Sequence, residues 1–170
     1  MFSLRFPKSE IEYWAERNSS QDYLVFQNEI GPATQKRGYL TRQDFLTLCE
    51  WKSPRTKSRC AKNSSEFIKE ITKVSFSAIH EQLRIQVLTM LSGVGWPTAS
   101  VMLHFCSNNQ YPILDYRALW SLNKEQPAAY DFPFWWHYTE YCRDLAECNG
   151  VSMRTIDRAL WQYSKENQNA

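Results

Sequence analysis

Residues 87–115 read VLTMLSGVGWPTASVMLHFCSNNQYPILD. Two apolar helical patterns meet here at Ser92-Gly93-Val94-Gly95. Upstream, Leu83, Val87, Met90 and Leu91 recur at i, i+4, i+7 and i+8, which predicts an amphipathic helix from Ser77 or Ala78 through Leu91. Downstream, a helix is expected from Trp96-Pro97, since proline is tolerated in a first turn, with Ala99, Met102, Leu103 and Cys106 facing inward. The two glycines free the turn for positive φ and strip side chains from its surface. The next helix then offers its first N–H groups to an anion. Val94, between the glycines, is expected to point inward and anchor the turn.

Glycine is scarce elsewhere, with five in 170 residues. A β-rich chain needs many glycine turns, so an all-α fold is expected. Working outward, Ser9 is expected to cap a helix through Arg17, and residues 21–30 read as helix or strand, ended by Gly31-Pro32. Thr41-x-x-Asp44 resembles a capping box for a helix over 42–51. KSPRTKSRCAKN (52–63) reads as a loop, and Ser64 or Ser65 opens a helix with Phe67, Ile68 and Ile71 on one side. Asp115 caps a short helix through Leu122. An aromatic helix spans 132–148, closed by Asn149-Gly150. Ser152 caps a last helix with Met153, Ile156, Leu160 and Trp161 on one face, fraying after Lys165. Eight or nine helices result.

Composition narrows the function. The hydrophobic fraction is 43% and the aromatic fraction 15%, far too apolar for a disordered chain. No apolar run long enough to span a bilayer occurs, and the N-terminus lacks a signal-peptide pattern, so a cytoplasmic protein is expected. Cys49, Cys60, Cys106, Cys142 and Cys148 include no CxxC pair and suit reduced thiols. Charge is uneven. Residues 36–62 hold eight basic side chains against two acidic, a net +6, and the remainder carries −4. Such a segment is either a solvated loop or a contact for an anionic partner, with Lys52, Arg55, Lys57 and Arg59 as candidate phosphate contacts.

LSGVGWPTASVML followed by YPILDYRALW resembles the helix-hairpin-helix DNA glycosylases, the endonuclease III-like superfamily. Their motif is L-P-G-[VI]-G, two variable residues, T-A, an apolar helix, and an aspartate about twenty residues after the second glycine. Asp115 stands twenty residues after Gly95. The resemblance covers about residues 80–122, and beyond it only the helical character is compatible. It implies a single two-lobed, all-α domain over 1–170, with the hairpin motif at 80–107, the aspartate segment at 111–122 and C-terminal helices over 132–167. It also implies that Ser92, Gly93, Val94, Gly95 and Thr98 meet the DNA backbone.

The same resemblance makes Asp115 the carboxylate for N-glycosidic cleavage. Breaking that bond develops positive charge on the sugar, which a carboxylate stabilises while orienting water. The base must first leave the stack. Tyr39, Trp51, Tyr116, Arg117 and Trp120 are candidates for its pocket, each otherwise a core or surface residue. Phe134-Trp135-Trp136 either seals the lobe interface or lines the pocket.

The chain departs from the pattern in several places. The family's Asp-x-His is Asp115-Tyr116-Arg117 here, where Arg117 holds a phosphate or the carboxylate, or pairs with a surface acid. Members that also cut the strand carry a lysine two residues after the second glycine, and here Pro97 stands there, so a monofunctional enzyme is expected. Lys52 is a substitute that nothing in the sequence places at the site. Members with a 4Fe–4S cluster use four C-terminal cysteines. Cys142 and Cys148 match only the last spacing and Thr139 takes a ligand position, so no cluster is expected. A monovalent cation at the hairpin is compatible with the motif. The expected partner is duplex DNA with a flipped base, bound by a monomer that touches no membrane. His80, His104 and His137 read as structural. The alternatives are a non-catalytic helix-hairpin-helix DNA-binding module, with Asp115 only a cap, and a protein-interaction scaffold.

Overall fold

A computed structural model describes residues 1–168. It is all-helical, with ten α-helical segments and no strand among the described residues. These are α1 Ile11–Arg17, α2 Gly31–Arg37, α3 Arg42–Lys52, α4 Lys57–Cys60, α5 Ser65–Ser77, α6 Glu81–Gln86, α7 Trp96–Cys106, α8 Tyr116–Ser121, α9 Phe132–Asn149 and α10 Met153–Asn167. No helix among the described residues is long and apolar enough to cross a membrane.

The chain divides into two compact units. Gln21–Gln110 forms one, carrying α2 to α7. Met1–Ser20 joins Tyr111 onward to form the other, carrying α1 and α8 to α10. In this second unit Ser3 and Arg5 donate their amides to the carbonyls of Leu122 and Ser121, tying the N-terminus to the end of α8. The Ser121 hydroxyl donates to the Leu160 carbonyl at 2.6 Å, fixing α8 to α10.

Caps formed where short polar side chains precede helical runs. Thr41, Ser64, Asp115, Asp131 and Ser152 each accept an amide of the first turn. Gly150 ends α9 at φ 63, the left-handed conformation that favours glycine. Ser9 is not a cap. Pro7 opens a 3-10 turn at Lys8–Glu10, so Ser9 already lies inside that turn when α1 begins. The last helix also runs past Lys165 to Asn167, and the expected fraying beyond 168 lies outside the described residues.

Gly31-Pro32 does not end its element. A π-helical turn over Phe26–Ile30 runs directly into α2. Proline cannot supply an amide and crowds the preceding turn, and the wider turn accommodates it. The Gly31 amide bonds the Phe26 carbonyl. Gly31 also lets α2 press on α7, because a Cβ there would lie 2.4 Å from the Phe105 carbonyl oxygen and 2.8 Å from that of Phe26. Both atoms are backbone and cannot swing away. Gly31→Ala is therefore expected to cost about 2 kcal/mol, in the range for overpacking, read as a lower urea midpoint at unchanged slope.

The expected helix from Ser77 through Leu91 is broken. α5 ends at Ser77, α6 begins at Glu81, and Val87–Met90 tightens to 3-10 geometry. The buried face lies to one side of the expected stripe. Ile85, Val87, Leu88 and Leu91 are buried, whereas Leu83 and Met90 are exposed. Buried Arg84 holds the corner, donating to the Ser75, Phe76 and Ala78 carbonyls beside Glu81. In α5, Ile68 and Ile71 are buried while Phe67 is exposed. α7 is buried on nearly every side, at Thr98 through Leu103, Phe105 and Cys106.

Candidate functional site

The hairpin forms between the 3-10 turn and α7. Val94 is buried, and its amide donates to the Leu91 carbonyl at 3.0 Å, closing the turn. The two glycines have different tasks. Gly93 adopts φ 83, and a Cβ on it would meet the Cys60 sulfur at 2.7 Å and the Cys60 amide nitrogen at 2.9 Å. Gly95 has φ −102, so positive φ is not its reason. It is exposed, and a Cβ there would meet nothing nearer than Pro97 Cδ at 3.8 Å. Gly95 is the N-cap of α7, and no side chain caps that helix. Pro97 lies in its first turn. Thr98 is buried beneath the turn and Ser92 is exposed.

The basic segment is not a loop. Pro54–Thr56 is a 3-10 turn leading into α4. Thr56, Cys60 and Asn63 are buried, while Arg55, Lys57, Arg59 and Lys62 are exposed. Proline starts the first turn, and the hydrogen bond from the Thr56 hydroxyl to the Ser53 carbonyl (3.0 Å) closes it. Lys57 pairs with Glu50 at 2.7 Å, and Lys52 is half-buried at the end of α3.

Asn63 joins this segment to the hairpin, a residue that sequence reasoning missed. Its amide nitrogen donates to the Ser92 carbonyl and its amide oxygen accepts the Ser92 N–H, both at 2.9 Å. Arg42 braces the same turn through the carbonyls of Ala61 and Asn63. The hairpin backbone thus lies against Arg59-Cys60, and the two candidate phosphate-binding features of the sequence are brought together. Asn63→Ala leaves the part-buried Ser92 N–H and carbonyl without this partner and is expected to cost about 2 kcal/mol. Urea unfolding measures that cost, and DNA affinity should fall with it.

Asp115 lies in the other unit. Buried Pro112, Ile113 and Leu114 precede it. Backbone groups of this extended stretch are held by side chains from two helices. The Ile113 amide donates to Asp157 Oδ1 at 3.0 Å, and the Tyr138 hydroxyl donates to the Ile113 carbonyl at 2.8 Å. Tyr111 stacks on Trp135. The half-buried Asp115 carboxylate accepts the Arg117 amide through Oδ1 at 2.9 Å, so it is indeed an N-cap. An N-cap carboxylate engages one oxygen in this bond, and Asp115 is fixed in direction from both sides of its backbone.

Tyr130, which sequence reasoning also passed over, faces this carboxylate electrostatically. Burial, reinforced by the Asp115 charge, pushes its phenol up to about 12, so it stays protonated at neutral pH. Burial holds Tyr138 well above the usual tyrosine range, with Cys142, Asp157 and Asp115 adding to the effect. The only prior hint of Tyr130 was its place just before the Asp131 cap.

The pocket candidates divide. Tyr116 is half-exposed next to Asp115, and the Arg117 guanidinium lies over the rings of Tyr116 and Trp161, at 5.2 and 5.4 Å. Trp120 is instead a packing residue, stacked on Tyr163 with Arg5 4.4 Å above its ring. Tyr39 and Trp51 belong to the hairpin's unit. Lys69 and Arg37 cover Tyr39. Trp51 packs on Phe26 and Phe105 and donates to Asp22 at 2.9 Å, so it is anchored in its own unit. The Phe134-Trp135-Trp136 run is used within its unit, Phe134 against Phe2 and Tyr130, and Trp136 beside Arg143.

Cys142 is fully buried in α9 beside Tyr138, and Cys148 is exposed six residues on, so the two do not converge. Among the described residues no group of three or more His, Cys, Asp or Glu side chains forms a metal site.

Comparison with protein-family models, with curated proteins and with solved structures found no match.

Proposed function

We propose that this chain is a monofunctional DNA glycosylase that flips a damaged or modified base and hydrolyses its N-glycosidic bond, leaving an abasic site. The reading rests on the resemblance of the hairpin and aspartate segments to the helix-hairpin-helix glycosylases. One observation carries it beyond sequence. The backbone at Ile113, two residues before Asp115, is held by Asp157 and Tyr138, and Asp115 is half-buried next to the half-exposed Tyr116.

In this mechanism the hairpin amides and the neighbouring Arg55, Arg59 and Lys62 hold phosphates of the backbone. The flipped nucleotide presents its sugar to Asp115. The carboxylate stabilises the positive charge growing at C1′ and directs a water to it, while the base departs with the bonding electron pair. Pro97 has no amine, so no Schiff base forms there and the strand stays intact. Excision of this kind serves base-excision repair, or attack on modified foreign DNA.

The second reading is a non-catalytic DNA-binding module, and the Asp115 to Arg117 cap bond favours it. A panel of duplexes carrying uracil, alkylated, oxidised or modified cytosine bases separates the two. Strand breaks that appear only after alkali support the glycosylase and identify its base. Breaks without alkali would overturn the monofunctional assignment. Tight binding with no product anywhere on the panel would favour the module.

A further inference from the structure

We infer that Arg117 reads the flipped base, and that this base is a neutral one bearing carbonyl oxygens, released as an anion, not a cationic alkylated one. The inference deepens the glycosylase reading above and rests on it. The Arg117 guanidinium lies over two rings from different helices, 5.2 Å from the Tyr116 centroid and 5.4 Å from that of Trp161. Trp161, expected in the buried stripe of α10, is only half-buried, and Met153, Ile156 and Leu160 fill that stripe without it. Ring faces attract a cation but leave the N–H groups in its own plane without an acceptor. Among the described residues no carboxylate and no carbonyl accepts a hydrogen bond from this guanidinium. Arg17, Arg37, Arg42 and Arg84, by contrast, each donate to a carboxylate or a carbonyl. Pairing with a surface acid, one of the roles open to Arg117 from sequence, is therefore not the one it fills.

Place and charge select the ligand. The Arg117 amide donates to Asp115 Oδ1 at 2.9 Å, so the guanidinium is tethered within one side-chain length of the candidate catalytic carboxylate. Tyr116, between the two in sequence, is half-exposed and offers a face on which a base can stack. A planar fork of donors beside that face matches a base edge with a carbonyl oxygen and a neighbouring acceptor nitrogen. In the hydrolysis the C1′–N bond breaks and its electron pair stays with the base. The oxygen of water bonds C1′, and one proton of that water reaches the base by way of solvent. A neutral base thus leaves as an anion, which a guanidinium stabilises as the charge develops. A base alkylated to a cation leaves neutral, gains nothing from Arg117 and is repelled by it while bound. Lys165 Nζ, 5.2 Å from the Trp161 ring, adds positive charge on the same side of the argument.

The test sets Arg117→Gln against two classes of duplex under single-turnover conditions. One class carries uracil, oxidised guanine or hydroxymethylcytosine, all neutral, and the other carries the cationic N7-methylguanine. The native protein should excise a neutral base and leave N7-methylguanine in place. Arg117→Gln should slow excision of the neutral base about 100-fold. Arg117→Lys should recover part of that rate, because it restores the charge without the fork. A duplex with a tetrahydrofuran abasic-site analogue, which has no base to read, should bind both variants with native affinity and salt dependence. Weaker binding there, with the slope of log affinity against log salt lowered by about one, would make Arg117 a phosphate contact and overturn the inference. Native excision confined to N7-methylguanine, or full activity of Arg117→Gln on a neutral base, would also overturn it while leaving the glycosylase reading standing. No excision by the native protein from any of these duplexes would overturn both. Should Arg117→Gln fold poorly, the preference of the native protein between the two classes decides alone.

Discussion

Asp115→Asn should abolish abasic-site formation while leaving DNA affinity and stability close to native. The amide keeps the cap, because asparagine and aspartate serve almost equally at that position. What it removes is the charge. Losing a positioned charge that acts on the transition state costs about 100-fold or more in kcat. The substitution therefore separates the role the structure shows, accepting the Arg117 amide, from the proposed catalytic one. Asp115→Ala is the companion variant, expected to lose the activity and about 1 kcal/mol of stability as well. Alkali-dependent strand cleavage under single-turnover conditions reads the first effect, and urea unfolding the second. Full activity in Asp115→Asn would reduce the residue to a cap and remove the catalytic reading.

The second large effect is expected at Gly93. Alanine there is strained by the φ of 83 and drives its Cβ to 2.7 Å from the Cys60 sulfur and 2.9 Å from the Cys60 amide nitrogen. Cys60 is fully buried and cannot retreat. Left-handed strain and overpacking together are expected to cost about 3 kcal/mol. The hairpin should detach from the basic turn, and DNA affinity should fall with stability. Gly95→Ala supplies the contrast. Its φ of −102 suits any residue and its Cβ meets open space, so the cost should stay within about 1 kcal/mol. Its methyl nevertheless stands on the exposed approach to the α7 amides. Weakened DNA binding with native stability in Gly95→Ala, against lost stability in Gly93→Ala, is the expected pair of results. Equal stability losses would show that both glycines serve packing alone.

Local signals were sufficient for much of this molecule. Scarce glycine, short polar caps and i, i+4 apolar spacing gave an all-helical chain and the starts of α3, α5, α8, α9 and α10. These features depend on neighbours a few residues apart. The hairpin turn was equally legible, since Val94 between two glycines can hardly do other than anchor it. The misreadings have a common cause. Leu83 and Met90 fit a helical period, yet the chain packs the neighbouring face, with Arg84, Ile85 and Leu88, and leaves both in solvent. Gly31-Pro32 reads as a stop, but a π-turn runs directly into α2 there, and Gly31 packs against the Phe105 carbonyl. Trp161 read as core because a wheel cannot tell which of two adjacent sectors another helix will cover.

The sequence by itself determined the helical class, the hairpin, the basic segment and the place of Asp115 at the start of a helix. Each follows from residue type and short spacing. Only the tertiary structure decided that Asn63 joins the basic turn to the hairpin, across 29 residues of chain. It alone showed that Tyr138 and Asp157 hold the backbone ahead of Asp115, and that Gly93 and Gly95 act differently. These depend on which buried hydrogen-bonding groups find one another after distant segments pack, and no local periodicity records that choice.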